Sequence, residues 1–151
     1  MAVSRAMRRL LAVLETQEEQ RRAALESAVA DLRRIEKALD ATVARERAGR
    51  ILVSASVANG ELVDRLAGLE EALAANRHGL ALRPRIAETE LRVAEGRREL
   101  IEKRIERRQA ETLIEKTEAN DAIVSGRREQ REMDDQFLSQ SHRTRNARAK
   151  S

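Results

Sequence analysis

The chain has 151 residues, with 30 Lys and Arg against 26 Asp and Glu, and it contains one Phe, one Pro and no Cys, Trp or Tyr. Aromatic side chains dominate the burial of most globular cores, so their scarcity excludes an ordinary compact core, and the Ala, Glu, Leu and Arg mixture is that of long helices or coiled coil. The missing cysteine excludes a disulfide framework and a thiolate metal site, and His78 and His142 lie too far apart in sequence to form a His-rich metal cluster.

Helical pattern runs almost from the start, and Ser4 is a suitable cap. The ladder Met7, Leu11, Leu14, Glu18, Arg21, Leu25, Ala28, Leu32, Ile35, Leu39, Thr42 alternates steps of four and three, the repeat of a coiled-coil seam. Glu18 and Arg21 interrupt it with charge, a device that commonly fixes register at some cost in stability. Helix one is therefore expected over about residues 4–49. A turn and tip follow over about 50–83. The uncharged run Ile51 to Gly60 is rich in β-branched residues and Ser, ends in the turn pair Asn59-Gly60, and is too short to span a bilayer. A fold-back between Ser54 and Val57 is expected.

Helix resumes at Glu61, with Leu62, Leu66, Leu69 and Leu73 on one face and Asn76 and Leu80 continuing it. Leu69 and Leu73 are open to two uses, as seam residues against helix one or as a contact for a partner. Gly79 and Pro84 then interrupt, since proline inside a helix costs about 3 kcal/mol but is tolerated in the first turn. A short helix to His78 and a long helix two over about 84–140 are expected, with one continuous, kinked helix as the close alternative. Ile86, Val93, Leu100, Ile101 and Ile105 supply the seam of helix two. A fold-back near Ser54 to Val57 would make facing residue numbers sum to about 112, pairing Leu39 with Leu73, Leu32 with Leu80, Leu25 with Ile86, Leu11 with Ile101 and Met7 with Ile105. The stretch from Glu106 to Leu138 then has no partner within the chain and overhangs. The expected fold is all-α: an extended antiparallel coiled-coil hairpin, 1–140, with a short helical tip and an overhanging C-terminal helix.

Beyond Ser139 the chain carries Arg143, Arg145, Arg148 and Lys150 and no acid, and the remainder has as many basic as acidic residues. Residues 141–151 read as a basic disordered tail, either solubilising or in contact with an acidic partner. Met1 to Leu14 lacks the apolar stretch of a secretory signal, so a cytoplasmic protein without membrane insertion is expected.

No catalytic constellation is visible. Carboxylates on a solvated helix have no apolar pocket to shift their pKa values. Ser54 and Ser56 have no neighbouring histidine, the six glycines share no phosphate-loop spacing, and no aromatic platform could stack bases. No enzyme activity, metal or cofactor is expected, and nucleic acid is a weak candidate partner.

The segment Gly60-Glu61-Leu62 to Leu80, the charged helix after it, and the run Arg127-Arg128-Glu129-Gln130-Arg131-Glu132-Met133-Asp134-Asp135-Gln136-Phe137-Leu138 together resemble the FliJ/YscO family of central stalk proteins in bacterial type III export systems, flagellar or injectisome. The terminal run of basic residues, acids, Met and Phe is the most specific part. The likeness covers nearly the whole chain, although the aromatic residues common around the family's tip are missing.

The resemblance implies a non-enzymatic adaptor, a monomer within its complex, at the base of a membrane-embedded secretion machine. The end carrying the termini would enter a hexameric export ATPase, with Arg127, Arg128, Arg131, Met133, Phe137 and Leu138 as contacts. The tip would reach the export-gate membrane protein through Leu69, Ala72 and Asn76. Export chaperones are a further implied partner. Two other readings remain open. A self-associating coiled coil requires a second seam outside the hairpin, and the outward positions from Arg97 to Arg108 are mostly charged. Nucleic-acid binding through the tail requires affinity that falls steeply with salt.

Overall fold

The computed structural model describes residues 3–151; Met1 and Ala2, the start of the expected hairpin domain, lie outside the described residues. Two helices account for nearly all of them, α1 (Arg5–Asn59) and α2 (Leu62–Ala149), and the described residues contain no strand. The two helices pack against each other as an all-α coiled-coil hairpin. Ser4 caps α1, its Oγ accepting a hydrogen bond from the Met7 amide at 3.2 Å.

The turn lies later than expected. The β-branched run 51–57 stays helical, because its propensity deficit is only tenths of a kcal/mol per residue and Val53 and Ser56 turn inward. The chain reverses at Gly60, whose φ of +72° is a left-handed conformation that glycine adopts without steric cost. The second expected break is absent too. α2 runs through Gly79 and Pro84 without interruption. Proline there forfeits one backbone hydrogen bond, while the flanking turns are held by buried Gly79, Leu82 and Thr89.

The chain divides into two units, Gln17–Lys103 and the start of α1 to Thr16 with Arg104–Ser151. In Gln17–Lys103 every expected seam residue of α1 from Glu18 to Thr42 is buried or half-buried except Arg21. The same 3–4 rhythm continues through Glu46, Gly49, Val53 and Ser56. The register differs from the expected one. A Cβ on Gly96 would touch Leu25 and one on Gly79 would touch Leu39, while Thr42 Oγ1 lies 3.4 Å from His78 Nδ1 and Arg21 pairs with Glu99 at 3.0 Å. Facing residue numbers thus sum to about 120 rather than 112, as a turn at Gly60 demands. The pairings Leu39–Leu73, Leu32–Leu80 and Leu25–Ile86 are replaced accordingly.

The seam of α2 in this unit consists of Gly68, Ala72, Ala75, Gly79, Leu82, Ile86, Thr89, Val93, Gly96 and Leu100, all buried or half-buried. The expected leucine face is not part of it: Leu62, Leu66, Leu69, Leu73 and Leu80 are exposed, as is Ile101. Small residues win this seam because they let the backbones approach. A Cβ on Gly68 would stand 2.7 Å from the Gly49 carbonyl oxygen, closer than any real contact. Buried Thr42, Ser56 and Thr89 satisfy their hydroxyls by donating to carbonyls of their own helix, those of Ala38, Val53 and Arg85.

In the other unit Met7, Leu11 and Leu14 are buried or half-buried, and half-buried positions recur on α2 at Arg107, Ala110, Ile114, Thr117 and Asp121. Ile105, expected in the seam, is half exposed. The unpartnered stretch therefore begins near residue 122, not at Glu106, and from 122 onward every residue but the half-buried Ser141 is exposed. The tail is helical to Ala149 rather than disordered. It holds no Gly or Pro, and its Arg, Ala and Gln residues propagate a helix already nucleated upstream.

Candidate partner surfaces

The gate-side candidates lie in Gln17–Lys103, where the backbones of α1 and α2 approach closely at Gly49 and Gly68. A Cβ on Gly49 would fall 2.8 Å from the Gly68 oxygen and 2.9 Å from the Ala72 amide nitrogen. With no side chain between them, the helices leave a shallow groove along their junction, lined by Arg50, Val53, Ser54, Leu69, Ala72 and Leu73, of about 440 Å³. Two of the three candidates, Leu69 and Ala72, line this groove. Leu69 is 49% exposed, whereas Ala72 is half-buried at the close approach. Asn76 is exposed one turn further on and donates through Nδ2 to Glu46 Oε1 at 3.5 Å. The seam alternative for Leu69 and Leu73 does not hold, since both side chains stand outside the packed seam.

One ion pair crosses between the helices next to the groove residue Ala72. Arg45 Nε donates to Glu71 Oε1 at 2.7 Å. That hydrogen bond and the guanidinium charge hold the Glu71 carboxyl below its ordinary value and raise Arg45. At the turn Glu61 shares a hydrogen bond with Asp64, which pushes the Glu61 carboxyl up.

The ATPase-side candidates lie on the exposed part of α2. Met133, Phe137 and Leu138 are 64%, 72% and 56% exposed, and Arg127, Arg128 and Arg131 are exposed beside them. Arg128 Nε lies 3.5 Å from Glu132 Oε1, one helical turn on. Apolar side chains this exposed on a long helix mark an interaction surface more readily than a folding core. A groove that sequence reasoning did not single out is lined by Ile105, Arg108, Gln109, Thr112, Leu113 and Lys116, with a volume of about 390 Å³. The signal for it was the half-exposed pair Ile105 and Leu113, which period alone had assigned to seam and overhang.

Among the described residues no group of three or more acidic, His or Cys side chains could hold a metal ion, and no helix is long and apolar enough to cross a membrane. Residues 4–147 match the family described as flagellar FliJ protein. The chain belongs to the FliJ family. Membership makes it a component of the flagellar export apparatus, in a family of non-enzymatic export proteins, and favours the flagellar over the injectisome alternative. No curated protein and no solved structure matches the chain.

Proposed function

We propose that this FliJ-family chain is the stalk that couples a hexameric export ATPase to the export gate on the cytoplasmic face of the flagellar base. The observation that carries the reading is the helical surface beyond residue 121, which leaves every residue but Ser141 exposed and presents Met133, Phe137 and Leu138. A helix that exposes such residues over several turns gains stability when a partner covers them. Arg127, Arg128 and Arg131 add charge-assisted hydrogen bonds to acidic groups lining an ATPase pore. The junction groove at Leu69 and Ala72, with Asn76 beside it, serves the gate. Export chaperones are further partners of the same apparatus.

The test is association with the two partners separately. Removing residues 122–151 abolishes co-purification with the export ATPase, and Leu69→Asp leaves that association intact while weakening capture by the gate's cytoplasmic domain by about tenfold or more. The opposite pattern would mean that the two ends of the chain have been assigned the wrong way round.

A further inference from the structure

Gly60 and Glu61 join the two helices, and Asn59 before them is the last residue of α1. Asn59 and Gly60 are both exposed. Nothing stands within 4 Å of where a Cβ on Gly60 would be, and its φ of +72° takes the chain out of the helix. The three other asparagines all lie inside α2: Asn76 before Arg77, Asn120 before Asp121 and Asn146 before Ala147. Asn59 alone among the four ends its helix and precedes a residue without a side chain.

That combination suits a reaction within the chain. The backbone nitrogen of the residue after an asparagine can attack the asparagine amide carbon when two conditions hold. The following residue must not crowd the approach, and the peptide between them must be free to leave the helical conformation. Gly60 meets the first because it has no Cβ. The second is met because carbonyls in the last turn of a helix have no partner within it, so turning the Asn59-Gly60 peptide disrupts little of α1. At Asn76, Asn120 and Asn146 the same rotation would first have to open a helix on both sides.

We propose that Asn59-Gly60 is a site of spontaneous deamidation, with solvent water as the co-reactant. The Gly60 nitrogen bonds to Asn59 Cγ as the Cγ–Nδ2 bond breaks. Nδ2 leaves as ammonia, taking the proton of the Gly60 amide, and a five-membered cyclic imide remains. Water then opens the imide at one of its two carbonyls. Opening at Cγ gives aspartate on an unchanged backbone. Opening at the other carbonyl gives isoaspartate, whose backbone runs through Cγ and is longer by one methylene. Either product places a carboxylate at the C-terminal end of α1, where the helix dipole disfavours it and no basic residue stands in the last turn. Glu61 and Asp64, which already share a hydrogen bond, lie just beyond. The modification therefore weakens the turn. The inference does not depend on the stalk reading.

The test is incubation of the full chain in mildly alkaline buffer at physiological temperature, followed by trypsin digestion and mass spectrometry. Cleavage after Arg50 and Arg65 separates Asn59 from the other three asparagines. Asn59 is expected to exchange its amide for a hydroxyl about tenfold faster than Asn76, Asn120 or Asn146, or faster still, and its product is expected to contain isoaspartate, which direct hydrolysis does not form. Gly60→Ala slows the reaction about tenfold, and does so even if the variant's turn loosens, because the added Cβ crowds the attack in the folded and the unfolded chain alike. Asn59→Asp, which carries the new charge without the longer backbone, lowers the melting temperature by about 2 °C. Loss of the Asn59 amide no faster than at the other three would overturn the inference, as would a product that is aspartate alone. An unchanged melting temperature in Asn59→Asp would overturn the weakening of the turn by charge.

Discussion

The hairpin between Gln17 and Lys103 closes in two different ways along its length. Near the turn the contact is nearly backbone on backbone, with Gly49 against Gly68 and Ala72, and Ala75 fully buried. Farther from the turn the contact is made by bulk, through Ile35, Leu82, Val93 and Leu100, each less than a tenth exposed. One segment holds by fit and the other by apolar area. The contrast explains how exposed leucines and buried glycines share one helix. Where backbones touch there is no room for leucine in the seam, and the leucines of residues 62–80 are turned outward.

The largest expected effect separates the two kinds of leucine. Leu82→Ala removes a side chain that is 4% exposed, and Leu80→Ala removes one that is 61% exposed, two residues away on the same helix. The first is expected to cost about 2–3 kcal/mol, at the lower end for buried leucines because a two-helix seam can partly collapse. The second is expected to change monomer stability by less than about 0.5 kcal/mol. Thermal unfolding at low protein concentration reads the difference. Equal losses would mean that the leucine face is packed after all.

The next effect tests fit. Gly68→Ala adds one methyl group where the Gly49 oxygen stands 2.7 Å away, a backbone atom that cannot rotate aside. Spreading the helices there costs about 1–3 kcal/mol, offset by up to about 1 kcal/mol of improved helix propensity. Gly126→Ala gains that propensity with nothing within 4 Å of the new atom. The pair is expected to move the melting temperature in opposite directions, and a stabilising Gly68→Ala would dissolve the distinction between the two segments.

These two segments also mark how much was legible beforehand. The seam of α1 could be read because Leu25, Leu32, Ile35 and Leu39 announce it by hydrophobicity, and all are buried or half-buried. The seam of α2 near the turn is written in Gly68, Ala72, Ala75 and Gly79. Hydrophobic period cannot rank such residues above a neighbouring leucine stripe, so the eye follows the leucines to the wrong face. The turn was misplaced for a related reason: the Asn59-Gly60 signal was visible, but the β-branched residues before it outweighed it although each costs little. Of the candidate contacts, Leu69 and Ala72 fall together on one groove because the true register happens to flank it. Met133, Phe137 and Leu138 needed no register, since a stretch of helix that leaves every residue but Ser141 exposed shows them in any alignment.

The smallest effect concerns the charges that tie the close-packed segment across the helices. Glu71, held below its ordinary value of 4.5 first by the hydrogen bond from Arg45 and then by its charge, binds its proton less readily folded than unfolded. Its contribution to stability is therefore complete above pH 4.5 and is lost as the pH falls through the lowered value. Glu61, raised by its hydrogen bond with Asp64, works in the opposite sense: its favourable share is present below 4.5 and disappears as the pH rises. A melting profile of the wild type alone would mix the two. Comparing it with Glu71→Gln isolates the first. The gap in melting temperature should be small and constant at neutral pH, close as the pH drops below 4.5, and shrink at high salt because the pair is exposed. A gap that persists in acid would mean that Glu71 acts by packing against the junction of the helices, which would make fit the governing term there even for a charged residue.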